Sequence, residues 1–331
     1  MMSQNTEQSG VTRRDFLAKA STLSLGALAI SKVSLAAESD LKSAPKGAEI
    51  VKLGIYPPMG ICRVGNSEKY FLAPEIPGLP ALPEGDYKDG NALIKKQAQR
   101  FRIYGYDDKG RVVREVTAKR DKIEWAVHVA NTKASWYGFN NPLDSGEKAL
   151  GLPGQIRNQF WMDAQDREDY LVINPGEKTI SGRKRNADGK DDEFAMVGTF
   201  WKTQKVQLGD LRTDEQGRLI VVPGNGESQS ATPDNPIDSF SDNDGWYDDW
   251  CDGFVNAKVS LEDGRKLPVD PAWVSMCGPN FAPEIDAFIT LYDVITDTMI
   301  KHKIDGMTAP TSPLSFREHI YPLFKRLGQM E

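Results

Sequence analysis

RFRIYGYDDKGRVVREV, residues 100–116, decides the fold class. RFRIYGY alternates with the period of a strand. DDKG supplies a hairpin turn, and RVVREV returns as the partner strand. Immediately before it, Ile94, Ala98 and Phe101 are spaced like one face of a helix, so a short helix is expected to run into the first strand. Downstream, KIEWAVHVANTKA (122–134) alternates again, with Ile123, Trp125, Val127 and Val129 on one face and His128 on the other, where a structural histidine is expected.

The same pattern recurs outward from these segments. EIVKLGIYPPMGICRVGNS (49–67) reads as strand, Pro-Pro turn and strand, and the proline-rich LAPEIPGLPALPEG (72–85) as extended loop. FAMVGTFWKTQKVQLGDLRTDEQGRLIVVPG (194–224) is predicted to be a strand, a DEQG turn and a second strand. FVNAKVSLEDGRKLPVDPAWVSMCGPNFAPEI (254–285) is predicted as a strand, a DG turn and a short strand, then WV and a proline-rich segment. Helical spacing appears from Ile285 through Phe288, Ile289, Tyr292 and Ile295, with a second helical element in SFREHIYPLFKRLGQME (315–331). The expected fold is therefore mainly β (α+β): antiparallel, sandwich-like sheets with long loops and a few helices towards the C-terminus.

The 331 residues carry a formal net charge of −6, 39% hydrophobic and 27% charged residues. That is an ordinary globular balance, and no basic stripe points to nucleic acid. Three cysteines (Cys62, Cys251, Cys277) are too few for a disulfide framework, although one pair with one free thiol stays open. His128, His302 and His319 are scattered without HExxH or CxxC, so no zinc site is expected. TRRDFLAKASTLSLGALAISKVSLAA (12–37) pairs Arg13 and Arg14 before an apolar run and a small-residue cleavage site. Residues 1–37 are thus expected to be a twin-arginine signal, 38–50 a linker and 51–331 the domain. The run is too short to span a bilayer, so no span is expected in the mature chain. Removing its four basic and two acidic residues takes the charge to −8, and the mature product is expected outside the cytoplasm, periplasmic or secreted.

GWYDDWCDG (245–253), at the end of a polar loop over 225–245, is the candidate site. A nucleophilic Cys251 is disfavoured because Asp249 and Asp252 oppose thiolate formation. An EF-hand reading of DNDG (242–245) fails, since Phe240 and Cys251 occupy the first and twelfth positions; an irregular calcium site remains an alternative. A Cys–Trp crosslink needs contact in space. Trp250 and Cys251, as neighbours in an extended segment, point to opposite faces, while Trp246 with Cys251 stays open. Each aspartate also has a structural reading as a turn or helix cap.

Several segments together resemble the N-terminal half of the LodA-like family, the L-lysine 6-oxidases and glycine oxidases that use cysteine tryptophylquinone. They are IYPPMGICRVGNS (55–67), IKKQAQRFRIYGYD (94–107), WAVHVANTKASWY (125–137), GWYDDWCDGFVNAKVSLEDG (245–264), PAWVSMCGPNFAPEI (271–285) and TLYD (290–293). The resemblance implies oxidation of an amino-acid amine through a Schiff base on the quinone, releasing ammonia and hydrogen peroxide. It also implies a flavoprotein that builds the quinone. In this family the quinone cysteine and tryptophan lie in the C-terminal half, so no cofactor is expected in this chain. A polypeptide supplying that half is the implied partner. On the resemblance, Trp246, Tyr247, Asp248 and Asp249 form the substrate side of a pocket: Tyr247 holds an amino-acid substrate and Asp248 or Asp249 its ammonium. The alternative from another class is a non-catalytic β-rich binding module, with or without calcium.

Overall fold

The computed structural model describes residues 44–76 except 46, then 81, 83, 85–136, 157–186, 192–231, 244–281, 289–309 and 314–327. The expected signal segment, most of the expected linker and Asp242 of the DNDG stretch lie outside them. The chain divides into two compact units, with the boundary between Pro279 and Asn280.

The first unit is built on one large mixed sheet. Its strands are β1 (Lys52–Tyr56), β2 (Met59–Arg63), β3 (Tyr70–Leu72), β4 (Lys96–Tyr106), β5 (Val112–Val116), β6 (Lys122–Ala130), β7 (Lys178–Ser181), β8 (Ala195–Phe200), β9 (Gln204–Thr213), β10 (Leu219–Pro223), β13 (Cys251–Ser260), β14 (Val269–Asp270) and β15 (Ala272–Cys277). They run in the order β7-β6-β13-β15-β2-β4-β10-β9-β8, with β1, β3 and β5 also pairing with β4, and β14 with β1. β11 (Ser228–Ser230) and β12 (Trp246–Asp248) form a separate antiparallel ribbon. The mainly β expectation holds, with most pairings antiparallel. Three are parallel: β1 with β14, β2 with β15 and β3 with β4.

The hairpin of residues 100–116 forms as β4 and β5, with a register shift between Gly105 and Tyr106. The short helix expected at Ile94–Phe101 does not form; β4 already begins at Lys96. The reason is double burial. Phe101 enters the main core, whereas Ala98 packs with Ile220 and Val222 in a second small cluster flanked by Tyr70 and Leu72. A strand covered on both faces loses its period-two signature. The single strand expected before DEQG is in fact a hairpin, β8 and β9. Its turn carries Trp201 and Lys202 at φ 50° and 58°, where no glycine or asparagine announces it.

Alternation in β6 is realised as read. Ile123, Trp125, Val127 and Val129 are buried in the main core, and His128 is exposed with Nε2 2.8 Å from Asn174 Oδ1. Trp125 is anchored further by its Nε1–H, which donates to the Gly217 carbonyl at 2.9 Å. Helix α1 (Ala164–Leu171) starts on Asp163, whose carboxylate accepts from the Gln165 amide.

The second unit holds α2 (Leu291–Lys301) and α3 (Tyr321–Leu327). Thr290 and Asp293 form a reciprocal capping box that starts α2. The helix therefore begins after Ile289, which lies in a bend, and the expected earlier positions Ile285 and Phe288 fall outside the described residues. Among the described residues no helix is long and apolar enough to cross a membrane.

Candidate functional site

The end of β12 and the turn into β13 bring charge into the interior. Asp248 and Asp249 are 5% and 1% exposed. The Asp248 carboxylate accepts from Asn131 Nδ2 at 2.7 Å on Oδ1 and pairs with Lys133 Nζ at 2.5 Å on Oδ2. The same Asn131 amide donates to the Asp248 carbonyl at 2.8 Å. Burial still raises the Asp248 pKa, outweighing the Lys133 charge and the hydrogen bonds. Lys133 Nζ lies 5.4 Å from the Trp246 ring centroid and 4.9 Å from that of Trp250.

Asp249 has a different environment. Its Oδ2 accepts from the Gly226 amide at 2.7 Å, and its own amide donates to the Glu227 carbonyl. Oδ1 is buried without a hydrogen-bond partner. Burial pushes its pKa to about 6, with the backbone amides of Glu227 and Gly226 opposing and the Asp248 and Glu227 charges adding repulsion. At the start of β4, the buried Lys96 donates to Asn225 Oδ1 on the neighbouring loop at 2.7 Å, and burial lowers its pKa.

Tyr247 faces the core. Its ring packs on Phe200 at 5.1 Å between centroids, its hydroxyl lies 3.4 Å from Gln229 Oε1, and burial followed by Glu227 raises its pKa. Trp246 Nε1 donates to Ser228 Oγ at 3.0 Å across the ribbon. The structure thus brings all four predicted residues onto one short segment but divides their surroundings: Asp248 and Trp246 meet Lys133, Asp249 meets the 224–227 loop, and Tyr247 meets Phe200.

Sequence reading missed the supporting residues. Asn131 and Lys133 follow β6, where the alternation breaks into NTK. Asn158 donates to the Ala134 carbonyl and accepts from Gly245, while its own amide donates to Asp244. Arg167, on α1, donates to the carbonyls of Ser135, Trp136, Arg157, Asn158 and Trp161. No spacing rule announces these long-range contacts.

The three cysteines are free thiols. Cys62 Sγ donates to the Val221 carbonyl, Cys251 Sγ to Leu208 and Cys277 Sγ to Cys62. Burial raises the pKa of Cys62 and Cys251, so neither is an activated thiolate. A Cys–Trp quinone needs a thiol against an indole. Here the thiols are directed at backbone carbonyls, and the Trp250 ring rests on Gly278, where a Cβ would approach Cζ2 to 2.3 Å. Among the described residues no three His, Cys, Asp or Glu side chains cluster as metal ligands. A groove of about 870 Å³ lies elsewhere, lined by Lys122, Glu124, Lys258, Lys266 and Leu267 among others, and none of the aspartate cluster lines it.

Fold and site define a β-rich domain with a buried carboxylate–ammonium–indole cluster. The family model for the N-terminal region of L-lysine epsilon oxidase matches residues 56–276, and the chain belongs to that family. L-lysine 6-oxidase from Marinomonas mediterranea is 29% identical over 317 residues, covering 84% of this chain and 42% of the relative. The structure of the epsilon-lysine oxidase from that organism superposes with a TM-score of 0.61 at 28% identity, covering 84% of this chain and 45% of that one. The structure of its Schiff base intermediate with L-Lys gives 0.60 at 28% identity, covering 84% of this chain and 44% of that one. The chain spans less than half the length of these relatives.

Proposed function

We propose that this chain is the N-terminal domain of an exported amino-acid oxidase-like quinoprotein of the L-lysine ε or glycine type. Without the quinone-bearing half of the family's fold it is inactive, and that half carries the cysteine tryptophylquinone, matured with the help of a flavoprotein. The observation that carries this reading is the match of 84% of this chain to less than half of an L-lysine oxidase. Trp246, Tyr247, Asp248 and Asp249 then form one wall of the substrate pocket, with Asp249 Oδ1 the carboxylate oxygen left open to a donor.

The test is reconstitution. Co-expression with a polypeptide corresponding to the remaining half of the lysine oxidase is expected to give peroxide release with L-lysine or glycine, and the chain alone none. Peroxide release by the chain alone, or none from the pair once both are shown to associate, contradicts the reading. Export is tested separately: with Arg13 and Arg14 both changed to Lys, the chain is expected to stay in the cytoplasm with its signal uncleaved.

A further inference from the structure

The chain places an ammonium group of its own where a ligand's could sit. Lys133 Nζ is held by the Asp248 carboxylate at 2.5 Å and faces two indoles, Trp246 and Trp250, at 5.4 and 4.9 Å. A carboxylate with two electron-rich rings is the recognition chemistry of an alkylammonium ion. Each wall has an anchor that does not involve Lys133. Asp248 is fixed twice by the Asn131 amide, through its carbonyl and through Oδ1. Trp246 is fixed by Ser228, and the Arg157 guanidinium lies 5.9 Å from its ring centroid. Trp250 is seated on Gly278, where any side chain would collide with its ring, and its amide donates to Asp248 Oδ1 at 3.3 Å. A site whose walls are held independently of its occupant is preorganised for that occupant.

We propose that Asp248, Trp246 and Trp250 form a receptor for a primary alkylammonium group, filled in this chain by its own Lys133 and closed thereby to free amines. The inference does not rest on the oxidase reading. It has a consequence for that reading: with Asp248 engaged, the ammonium of an amino-acid substrate takes its counter-charge from another group.

The experiment is substitution and return of the deleted atoms. Lys133→Ala removes a fragment whose atoms are those of n-propylammonium. Adding n-propylammonium to K133A is expected to raise its melting temperature saturably and to change indole fluorescence. n-Propanol is expected to do neither. The wild-type chain is expected to be indifferent to both, and K133A/D248N to bind the amine about tenfold more weakly or less. Equal rescue by propanol, an equal response of the wild-type chain, or no response of folded K133A overturns the proposal. Should K133A not fold, the wild-type chain carries the test through acylation by an N-hydroxysuccinimide ester, read by peptide mass spectrometry. Lys133 is expected to react about tenfold or more slowly than Lys184 and Lys301, whose side chains are 69% and 68% exposed. Reaction at the same rate overturns the proposal.

Discussion

The backbone at Gly224 passes so close to Asp249 that a Cβ placed there would lie 2.4 Å from Oδ2 and 2.8 Å from the Gln207 carbonyl. The buried carboxylate exists because residue 224 has no side chain. Gly224→Ala is therefore expected to cost about 1–3 kcal/mol, with the loss read by urea unfolding. A change within a few tenths of a kcal/mol would show that the carboxylate moves aside freely.

Asp249 should also leave a signature in pH. Its folded pKa, about 6, lies above the ordinary value of 3.8, so the folded state holds the proton more tightly. Its contribution is favourable below 3.8, declines as pH rises from there to about 6, and is a constant penalty above. The span corresponds to roughly 3 kcal/mol. Wild-type stability minus that of D249N should fall across this window. A flat difference would mean that Asp249 ionises normally. The comparison must be a difference, because Asp121 and Glu75, whose pKa values are lowered in the fold, change stability in the opposite sense over acid pH.

What could be read from the sequence was whatever announces itself locally. The β4–β5 hairpin and the alternation of β6 declare their geometry within a dozen residues, and the aspartate segment stood out by composition. The start of β4 was misread because Ala98 and Phe101 are buried on opposite faces, which mimics helical spacing. The β8–β9 turn was missed because Trp201 and Lys202 adopt left-handed backbone without a residue type that signals it. Parallel pairing of β2 with β15 joins residues some two hundred positions apart, which no local pattern encodes. The partners of Asp248 were invisible for the same reason: Asn131 and Lys133 reach it across more than a hundred residues.

Arg167 gathers the segments around the site. All five of its N–H donors meet backbone carbonyls, between Ser135 and Trp161. Arg167→Met strands those carbonyls and is expected to cost about 3 kcal/mol or more. Hydrogen exchange should show residues 131–136 losing protection first. Arg167→Lys, with fewer donors, should recover only part of the loss. Unchanged protection in both variants would show that the segments hold without the guanidinium.

Thiol accessibility tests the core around the candidate site. Cys62 and Cys251 are buried and Cys277 is partly exposed. A native thiol titration should modify Cys277 alone, and all three should react after denaturation. Rapid native labelling of Cys251 would contradict its burial in the core.

The central proposal is that no Cys–Trp quinone forms within residues 1–331. Intact-mass spectrometry of the purified chain tests it most directly. The account predicts the unmodified mass with three alkylatable thiols; a mass bearing two added oxygens together with the hydrogen loss of a Cys–Trp bridge would contradict it.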